Sequence, residues 1–212
     1  MNAEKDLQSL VELFSEQLPG FLAHEDMIPM PRLGHKLVDS ADGSCIEAGV
    51  LALFYPRENR LNLVFTRRTD SVSSHQAQIS FPGGRREPDE EFEQTAIRET
   101  NEELGVDPES VRILGRLTPL YVPPTNFCIY PVVGFAEERP DFRPSPDEVA
   151  EVIEVPVDHL LDKINIQREN WTIRGMDLEV PFYRFEQHKI WGATAMIVAE
   201  LLAILRENRI KL

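Results

Sequence analysis

Residues 84–106 read GRREPDEEFEQTAIRETNEELGV and contain the clearest structural signal in the chain. The part from 91 to 104 has no Gly or Pro, and it follows Asp89 and Glu90, acidic residues of the kind that favour the first turn of a helix. Gly105 comes directly after this part, and glycine tolerates the left-handed conformation in which helices commonly end. The pattern therefore predicts a helix over 91–104.

Three carboxylates lie on one face of the predicted helix. Glu99, Glu102 and Glu103 are spaced i, i+3 and i+4, and like charges at this spacing repel one another. A hard divalent cation with oxygen ligands, Mg²⁺ or Mn²⁺, would relieve the repulsion. Arg98 lies one turn before Glu102 and can steady one of the acids by a charge-assisted hydrogen bond. The alternative interpretation is an acidic helix face in contact with solvent.

A glycine turn precedes the predicted helix. Pro82, Gly83 and Gly84 follow a short apolar run, and glycine allows the backbone to come close to the carboxylate face. In its spacing the stretch resembles the box of the Nudix hydrolases, whose fixed letters are matched by Gly84, Glu90, Arg98, Glu99, Glu102, Glu103 and Gly105. Thr100 departs from the box, which more commonly has an aliphatic residue there.

The resemblance implies an α/β (α+β) fold in which a mixed β-sheet is sandwiched between helices. It also implies the hydrolysis of a phosphoanhydride with the help of Mg²⁺ or Mn²⁺, which neutralises the diphosphate and lowers the pKa of the attacking water. We expect Glu99 and Glu103 to be metal ligands, and Glu102 to be a third ligand or the base. The resemblance implies that the carbonyl of Gly83 is a further ligand, and we expect Glu90 to have a structural or outer-shell role.

The general base has more than one candidate. Across the Nudix families the base comes either from the box, here Glu102 or Glu103, or from a carboxylate on a distant loop. Glu148 and Glu151 are the distant candidates in this chain. Their alternative interpretation is an acidic edge strand that faces solvent.

The segment ahead of the box carries a second resemblance, to the coenzyme A pyrophosphatase branch of the Nudix superfamily. The likeness covers about residues 45–205 and is carried by Thr66, Arg68, Gln78 and residues 81–84, 145–151 and 190–195. The chain departs from the branch at Thr69, Ser73 and Ala77, where the branch has Ser, Arg and Gly. The resemblance implies cleavage of the diphosphate of coenzyme A to adenosine 3′,5′-bisphosphate and 4′-phosphopantetheine.

Substrate binding is expected from residues ahead of the box. Arg67 and Arg68 gather positive charge before the carboxylates, as a 3′-phosphate and a diphosphate together would require. Gln78 and Phe81 complete the predicted substrate-binding set. The alternatives are that one arginine pairs with a nearby acid, and that His75 is an ordinary loop histidine.

Two other functions stay open at this point. The first is a Nudix pyrophosphatase that acts on ADP-ribose, NADH or another nucleoside diphosphate derivative. The second is a non-catalytic Nudix-like module that binds a nucleotide or a protein. Modules of that kind typically lack some box glutamates, and this chain has all of them.

Composition limits the partners and the compartment. The net charge of −14 argues against non-specific binding to nucleic acid or to an anionic membrane, and an anionic substrate must be met by local arginines and metal ions. The resemblance implies a small nucleotide-type diphosphate as the partner. No apolar run has membrane-spanning length, and the N-terminus has no signal-peptide pattern. Cys45 and Cys128 are far apart without metal-ligand spacing, so reduced core thiols in a cytoplasmic protein are expected.

The rest of the chain predicts one domain over 45–212, with an N-terminal helix and loop over 1–44 that pack on it. The predicted elements are a helix over 3–18, strands over 47–55, 61–68, 111–120, 127–136 and 148–155, a turn over 56–60, a short helix over 157–162, a hairpin of 164–174 with 178–187, and a last helix over 192–208. The last helix is apolar nearly all round, which indicates burial by the sheet or by a second copy in a homodimer.

Overall fold

The structure, a computed structural model of the 212-residue chain, describes residues 11–14, 18–30, 45–69 and 78–208. Within these ranges the strands are β1 Ile46–Arg57, β2 Arg60–Arg68, β3 Ile79–Ser80, β4 Gly83–Arg85, β5 Arg112–Arg116, β6 Leu120–Val122, β7 Phe127–Phe135, β8 Val149–Pro156, β9 Ile166–Ile173, β10 Met176–Phe185 and β11 His188–Trp191. The helices are α1 Phe21–His24, α2 Phe92–Leu104, α3 Val157–Leu161 and α4 Gly192–Glu207.

The large sheet is organised around a parallel strand pair. β1 and β7 run parallel from the pair Ile46 and Phe127 to the pair Phe54 and Phe135, and their other neighbours in the sheet are antiparallel. The strand order is β3-β2-β1-β7-β5, with β4 beside β1, β6 beside β7 and β8 beside β2. Strands β9, β10 and β11 form a separate antiparallel sheet.

The two faces of the large sheet pack against different elements. Successive side chains of a strand point to opposite faces, so Leu51 and Leu53 pack with Leu104 of α2, whereas Ala52 and Phe54 belong to the core that contains α4. The small sheet contributes to the same core as α4. The predicted fold class, a mixed sheet between helices, is confirmed.

Helix α2 begins and ends where the sequence predicts. Glu91 is its N-cap and forms a capping box with Gln94, whose Oε1 accepts a hydrogen bond of 2.7 Å from the Glu91 N–H. At the other end Gly105 has φ 67° and its N–H donates to the Asn101 carbonyl at 2.8 Å. Only glycine adopts this left-handed conformation without strain, so the residue fixes the last turn of the helix.

Helix α4 is buried within its own chain. Leu201 and Leu202 are fully buried, as the apolar sequence predicts. This burial removes α4 as an argument for a homodimer, and the dimer stays a prediction. In the part of the chain that the structure describes, every helix is too short or too polar to span a membrane.

A buried carboxylate attaches residues 18–30 to α4. Glu200 is fully buried, and its oxygens accept hydrogen bonds from the Gly20 N–H at 3.1 Å, the Thr118 N–H at 3.1 Å and the Thr118 hydroxyl at 2.6 Å. His24 Nε2 lies 3.1 Å from Glu200 Oε2. Burial alone would raise the pKa of Glu200, but the hydrogen bonds with His24 and Thr118 lower it below its usual value. The carboxylate is therefore ionised inside the core.

Several predicted elements differ from the structure in their bounds. β1 continues to Arg57, and the turn to β2 consists of Glu58 and Asn59, with φ 53° and 60°, rather than of residues 56–60. The strand predicted over 111–120 is two strands, β5 and β6, that pair with the same neighbour. β11 was not predicted, because four residues are too few to show a periodic pattern. The hairpin of β9 and β10 is confirmed.

The N-terminal predictions fall largely outside the described residues. Of the helix predicted over 3–18, residues 11–13 are described as helical. Phe14 is buried in the core that contains α4. The division into 1–44 and 45–212 stays a prediction.

The prediction of two reduced thiols is wrong. Cys45 and Cys128 form a disulfide with a Cα–Cα distance of 5.7 Å, although they are 83 residues apart in sequence. The parallel pairing of β1 with β7 places Glu47 opposite Cys128, which brings Cys45, directly before β1, close to Cys128 of β7. The expected cytoplasmic location, which relied in part on reduced thiols, stays a prediction.

Removing the disulfide should lower stability. We expect the double variant Cys45→Ser, Cys128→Ser to lose up to about 4 kcal/mol of unfolding free energy, because the bridge closes a long loop in the unfolded chain. Urea unfolding of both proteins, with and without dithiothreitol, measures the difference. Dithiothreitol should bring the wild type down to the variant. If it leaves the wild type unchanged, the cross-link does not stabilise the chain.

Candidate active site

Glu103 is a buried acid on helix α2. Its side chain is 4% exposed, and Oε2 has no hydrogen-bond partner among the described residues. Burial raises the pKa of Glu103 to about 8; the positive charge of Arg68 opposes this change, and the negative charges of Glu148 and Glu99 reinforce it. A hydrogen bond with the Gly83 backbone favours the ionised form. Glu103 is thus a carboxylate that lacks enough positive charge around it.

Glu99 lies directly against the glycine turn. A methyl group at Gly84 would be 2.7 Å from Glu99 Oε1 and still closer to Oε2, so only glycine leaves room for this carboxylate. Burial raises the pKa of Glu99 in spite of a hydrogen bond of 2.7 Å from Arg98 Nη1, and the charges of Glu102 and Glu148 add to the rise. The close approach predicted from the sequence is therefore present.

Arg98 connects the acids of the box. Its Nε donates to Glu90 Oε1 at 2.7 Å, Nη1 donates to Glu99 and to Glu102, and Nη2 donates to the Arg85 carbonyl at 3.1 Å. The hydrogen bond from Arg98 lowers the pKa of Glu90 to about 2, and a hydrogen bond from the Thr95 hydroxyl adds to this effect. Glu90 accordingly holds Arg98 in place, which agrees with the structural role expected for it.

Glu102 is the most exposed of the three acids. Its side chain is 55% exposed and its nearest cation is Arg98, at 3.2 Å from Oε2. No three acidic, histidine or cysteine side chains of the described residues form a group able to hold a metal ion. The face predicted to carry three carboxylates therefore brings Glu99 and Glu103 together and leaves Glu102 at the surface.

The loop before β8 carries Glu148 towards this site. The N–H of Arg143 donates to the Leu104 carbonyl at 2.7 Å, and the N–H of Ser145 donates to the Glu103 carbonyl at 2.9 Å. Helix C-terminal carbonyls need such partners, so the loop is tied to the last turn of α2. Glu148 comes shortly after Ser145 in the sequence, and its charge raises the pKa of both Glu99 and Glu103. The sequence suggested Glu148 but gave no sign of the contact through Ser145.

The two predicted arginines lie on opposite faces of β2. Arg68 is on the α2 face, where its charge acts on Glu103, and its Nε atom is buried without a hydrogen-bond partner in the described ranges. Arg67 is on the other face and its Nε donates to Glu151 Oε2 at 2.9 Å. His188, which the sequence did not predict, lies 3.3 Å from Glu151 Oε1. No motif signals this histidine, because its partner is on another strand.

The remaining predicted substrate residues have different surroundings. The backbone of Gln78 lies beside that of Arg68, whose N–H donates to the Gln78 carbonyl at 3.4 Å. Phe81 is 3% exposed and its ring packs on Phe65 with centroids 4.6 Å apart, so it is a core residue and we do not retain it as a substrate contact. His75 lies outside the described residues.

The site fits a divalent cation. Glu103 Oε2 is an oxygen donor without a partner in the described ranges, and Glu99 is held against the backbone turn that contains Gly83 and Gly84. Carboxylate and carbonyl oxygens are the donors that Mg²⁺ and Mn²⁺ prefer. A cation would supply the positive charge that Glu103 lacks.

Comparison with known proteins identifies the class of protein. A model of the NUDIX domain matches residues 46–174. The Uncharacterized Nudix hydrolase NudL of Photorhabdus laumondii is 36% identical over 140 residues, which cover 66% of this chain and 74% of the relative. The Nudix hydrolase 3 of Caenorhabditis elegans is 28% identical over 95% of this chain and 92% of its own length.

The chain belongs to the Nudix hydrolases and is a pyrophosphohydrolase. Members of this family generally use divalent metal ions and act on small nucleotide derivatives. The Peroxisomal coenzyme A diphosphatase NUDT7 of Mus musculus is 32% identical over 166 residues, 75% of this chain and 70% of the relative, which supports a branch like that of the coenzyme A pyrophosphatases. In fold, the chain matches the Nudix hydrolase RenU of M. smegmatis with a TM-score of 0.53 over 79% of this chain and 88% of RenU, at 18% identity.

A methyl group at position 84 should displace Glu99. We expect Gly84→Ala to lower kcat by roughly a hundredfold or more, because a small displacement of a catalytic group can cost that much. The assay is hydrolysis of the best diphosphate substrate, with the melting temperature as a check on folding. Gly175→Ala is the control, since nothing lies within 4 Å of a methyl added there; its φ of 77° places any backbone strain in the control, because Gly84 does not have a left-handed φ. Equal kcat losses in the two variants would contradict a specific effect on Glu99.

Proposed function

We propose that the chain hydrolyses the diphosphate of coenzyme A or its derivatives to adenosine 3′,5′-bisphosphate and 4′-phosphopantetheine. The observation that carries the proposal is the segment from Thr66 to Gly84, whose ends belong to the strands beside Glu99 and Glu103. It supplies Arg68, whose charge acts on Glu103, and Gln78, whose backbone is hydrogen-bonded to that of Arg68, at the intervals found in the coenzyme A branch. The likeness to the mouse coenzyme A diphosphatase supports the same substrate class.

Each proposed residue has a chemical role. Glu99, Glu103 and the Gly83 carbonyl hold the divalent cation, and Glu102 is the alternative third ligand. When bound, the cation neutralises the diphosphate and lowers the pKa of the attacking water. Arg68 donates to the diphosphate and stabilises the charge that develops on it.

Glu148 is our choice of base. It is attached to α2 through the loop at Ser145, and it is close enough to Glu99 and Glu103 for their charges to interact. It accepts the proton as the water oxygen bonds to phosphorus and the bridging P–O bond breaks. Glu102 is the alternative base, but its side chain points towards Arg98 and solvent.

A second substrate class has one observation in its favour. Ser73 and Ala77 stand where the coenzyme A branch has Arg and Gly, so one phosphate contact of the branch is missing. ADP-ribose and NADH have the diphosphate but no 3′-phosphate, and they would not need that contact. A non-catalytic module is disfavoured because every glutamate of the box is present.

A substrate panel tests the proposal. With Mg²⁺ and then Mn²⁺, we expect kcat/KM for coenzyme A to exceed that for ADP-ribose and NADH by at least about tenfold, because a group bound by charged hydrogen bonds discriminates strongly. Product analysis should give adenosine 3′,5′-bisphosphate. Coenzyme A left intact while another substrate is consumed would refute the assignment.

Glu103→Gln should lower kcat by roughly three orders of magnitude, and Glu109→Gln, an exposed acid, should not.

Metal binding can be tested without turnover. We expect saturating MgCl₂ or MnCl₂ to raise the melting temperature of the wild type by about 5–10 °C, because a ligand that binds only the folded state stabilises it. Differential scanning fluorimetry at constant ionic strength measures the shift. Glu103→Gln should lose most of it and Glu109→Gln should keep it. A shift of the same size in Glu103→Gln would exclude Glu103 as a ligand.

A further inference from the structure

Arg67 is oriented by a carboxylate on the neighbouring strand. β2 and β8 pair so that Arg67 is directly opposite Glu151, and Arg67 Nε donates to Glu151 Oε2 at 2.9 Å. On its other side Arg67 is opposite Ile79 of β3, so its backbone is held between two strands. The position of the guanidinium is thus set by the sheet and by one hydrogen bond.

Glu151 also lies near a histidine of a third strand. His188 of β11 is 7% exposed, and its Nε2 lies 3.3 Å from Glu151 Oε1, the oxygen that does not contact Arg67. The same Nε2 also lies 3.0 Å from the Gln187 amide nitrogen, so the directed hydrogen bond to Glu151 is the one from Arg67 Nε.

The outer nitrogens of Arg67, Nη1 and Nη2, make no hydrogen bond with any described residue, and the side chain is 31% exposed. Arg98 offers a contrast, because all three of its nitrogens are used by acids and a carbonyl. A guanidinium held at Nε with both Nη groups open is suited to bidentate binding of a phosphate.

The geometry points to Arg67 as the site for the 3′-phosphate of the substrate, with Glu151 as its positioning residue; this inference rests on the proposed function. On one face of β2, where the diphosphate is cleaved, the positive charge of Arg68 lowers the pKa of Glu103. Arg67 points to the other face, so it takes an anionic group separate from the diphosphate. Coenzyme A has one such group, a phosphate monoester on the ribose, and dephospho-coenzyme A lacks it.

Two measurements test this site. The first is kcat/KM for coenzyme A divided by kcat/KM for dephospho-coenzyme A. Arg67→Gln should lower this ratio about 10- to 100-fold, the range for a charged bidentate contact, and Arg67→Lys should lower it less. The second is calorimetric binding of adenosine 3′,5′-bisphosphate and of adenosine 5′-monophosphate, which requires no turnover. The wild type should prefer the bisphosphate, and Arg67→Gln should lose that preference.

Two further variants separate positioning from other roles. Glu151→Gln should lower the same ratio about 3- to 10-fold, since Arg67 keeps its charge but loses its alignment. An equal fall in kcat on both substrates would instead make Glu151 a general base and overturn the positioning role. Arg60→Gln is the matched control, because it removes an arginine at the other end of β2 whose exposed partner is Asp158.

The two proposals fail in different ways. If the wild type hydrolyses neither form of coenzyme A, the proposed function fails, while the calorimetric comparison still tests Arg67. If Arg67→Gln leaves both the kinetic ratio and the nucleotide preference unchanged, the pair of Arg67 and Glu151 is an ordinary surface salt bridge and the inference is overturned.

Discussion

Two carboxylates kept close together in a poorly hydrated place are the constraint on which the rest of this structure depends. Burial raises the pKa values of both Glu99 and Glu103, and the negative charge of Glu148 adds to both rises. The fold tolerates this arrangement because Gly84 gives Glu99 room and Arg98 supplies part of the missing positive charge. A protein selected for stability alone would gain by replacing either acid, so the arrangement indicates that the acids serve chemistry.

The features that follow from local rules could be predicted from sequence. Helix α2, its end at Gly105 and the close approach at Gly84 depend on neighbouring residues and on the lack of a side chain, which the sequence states directly. The fold class followed from the same stretch through its resemblance to a family. The burial of α4 followed from a helix surface with almost no polar side.

Features that depend on pairing between distant strands could not be predicted. The disulfide requires the parallel register of β1 with β7, and the separation of Arg67 from Arg68 requires knowing which side of β2 faces α2. Phe81 shows a related limit. An aromatic side chain beside a motif can face substrate or core with equal ease, and only its packing on Phe65 decides. Glu102 has the spacing of a ligand, yet its solvent exposure depends on how α2 is rotated against the sheet.

The ionised Glu200 has a consequence for how the last helix finds its place. A helix that is apolar on nearly every side could pack on the rest of the protein at several axial positions and rotations with similar buried area. Shifting α4 by one residue would move Glu200 away from the donors at Gly20 and Thr118. The ionised carboxylate would then be unpaired in an apolar core, which costs several kcal/mol. Glu200 thereby fixes one axial position and rotation of α4. Thr194, in the first turn of α4, donates to the Ile79 carbonyl on β3. The position of α4 therefore also constrains β3, the strand that pairs with β2 at Arg67.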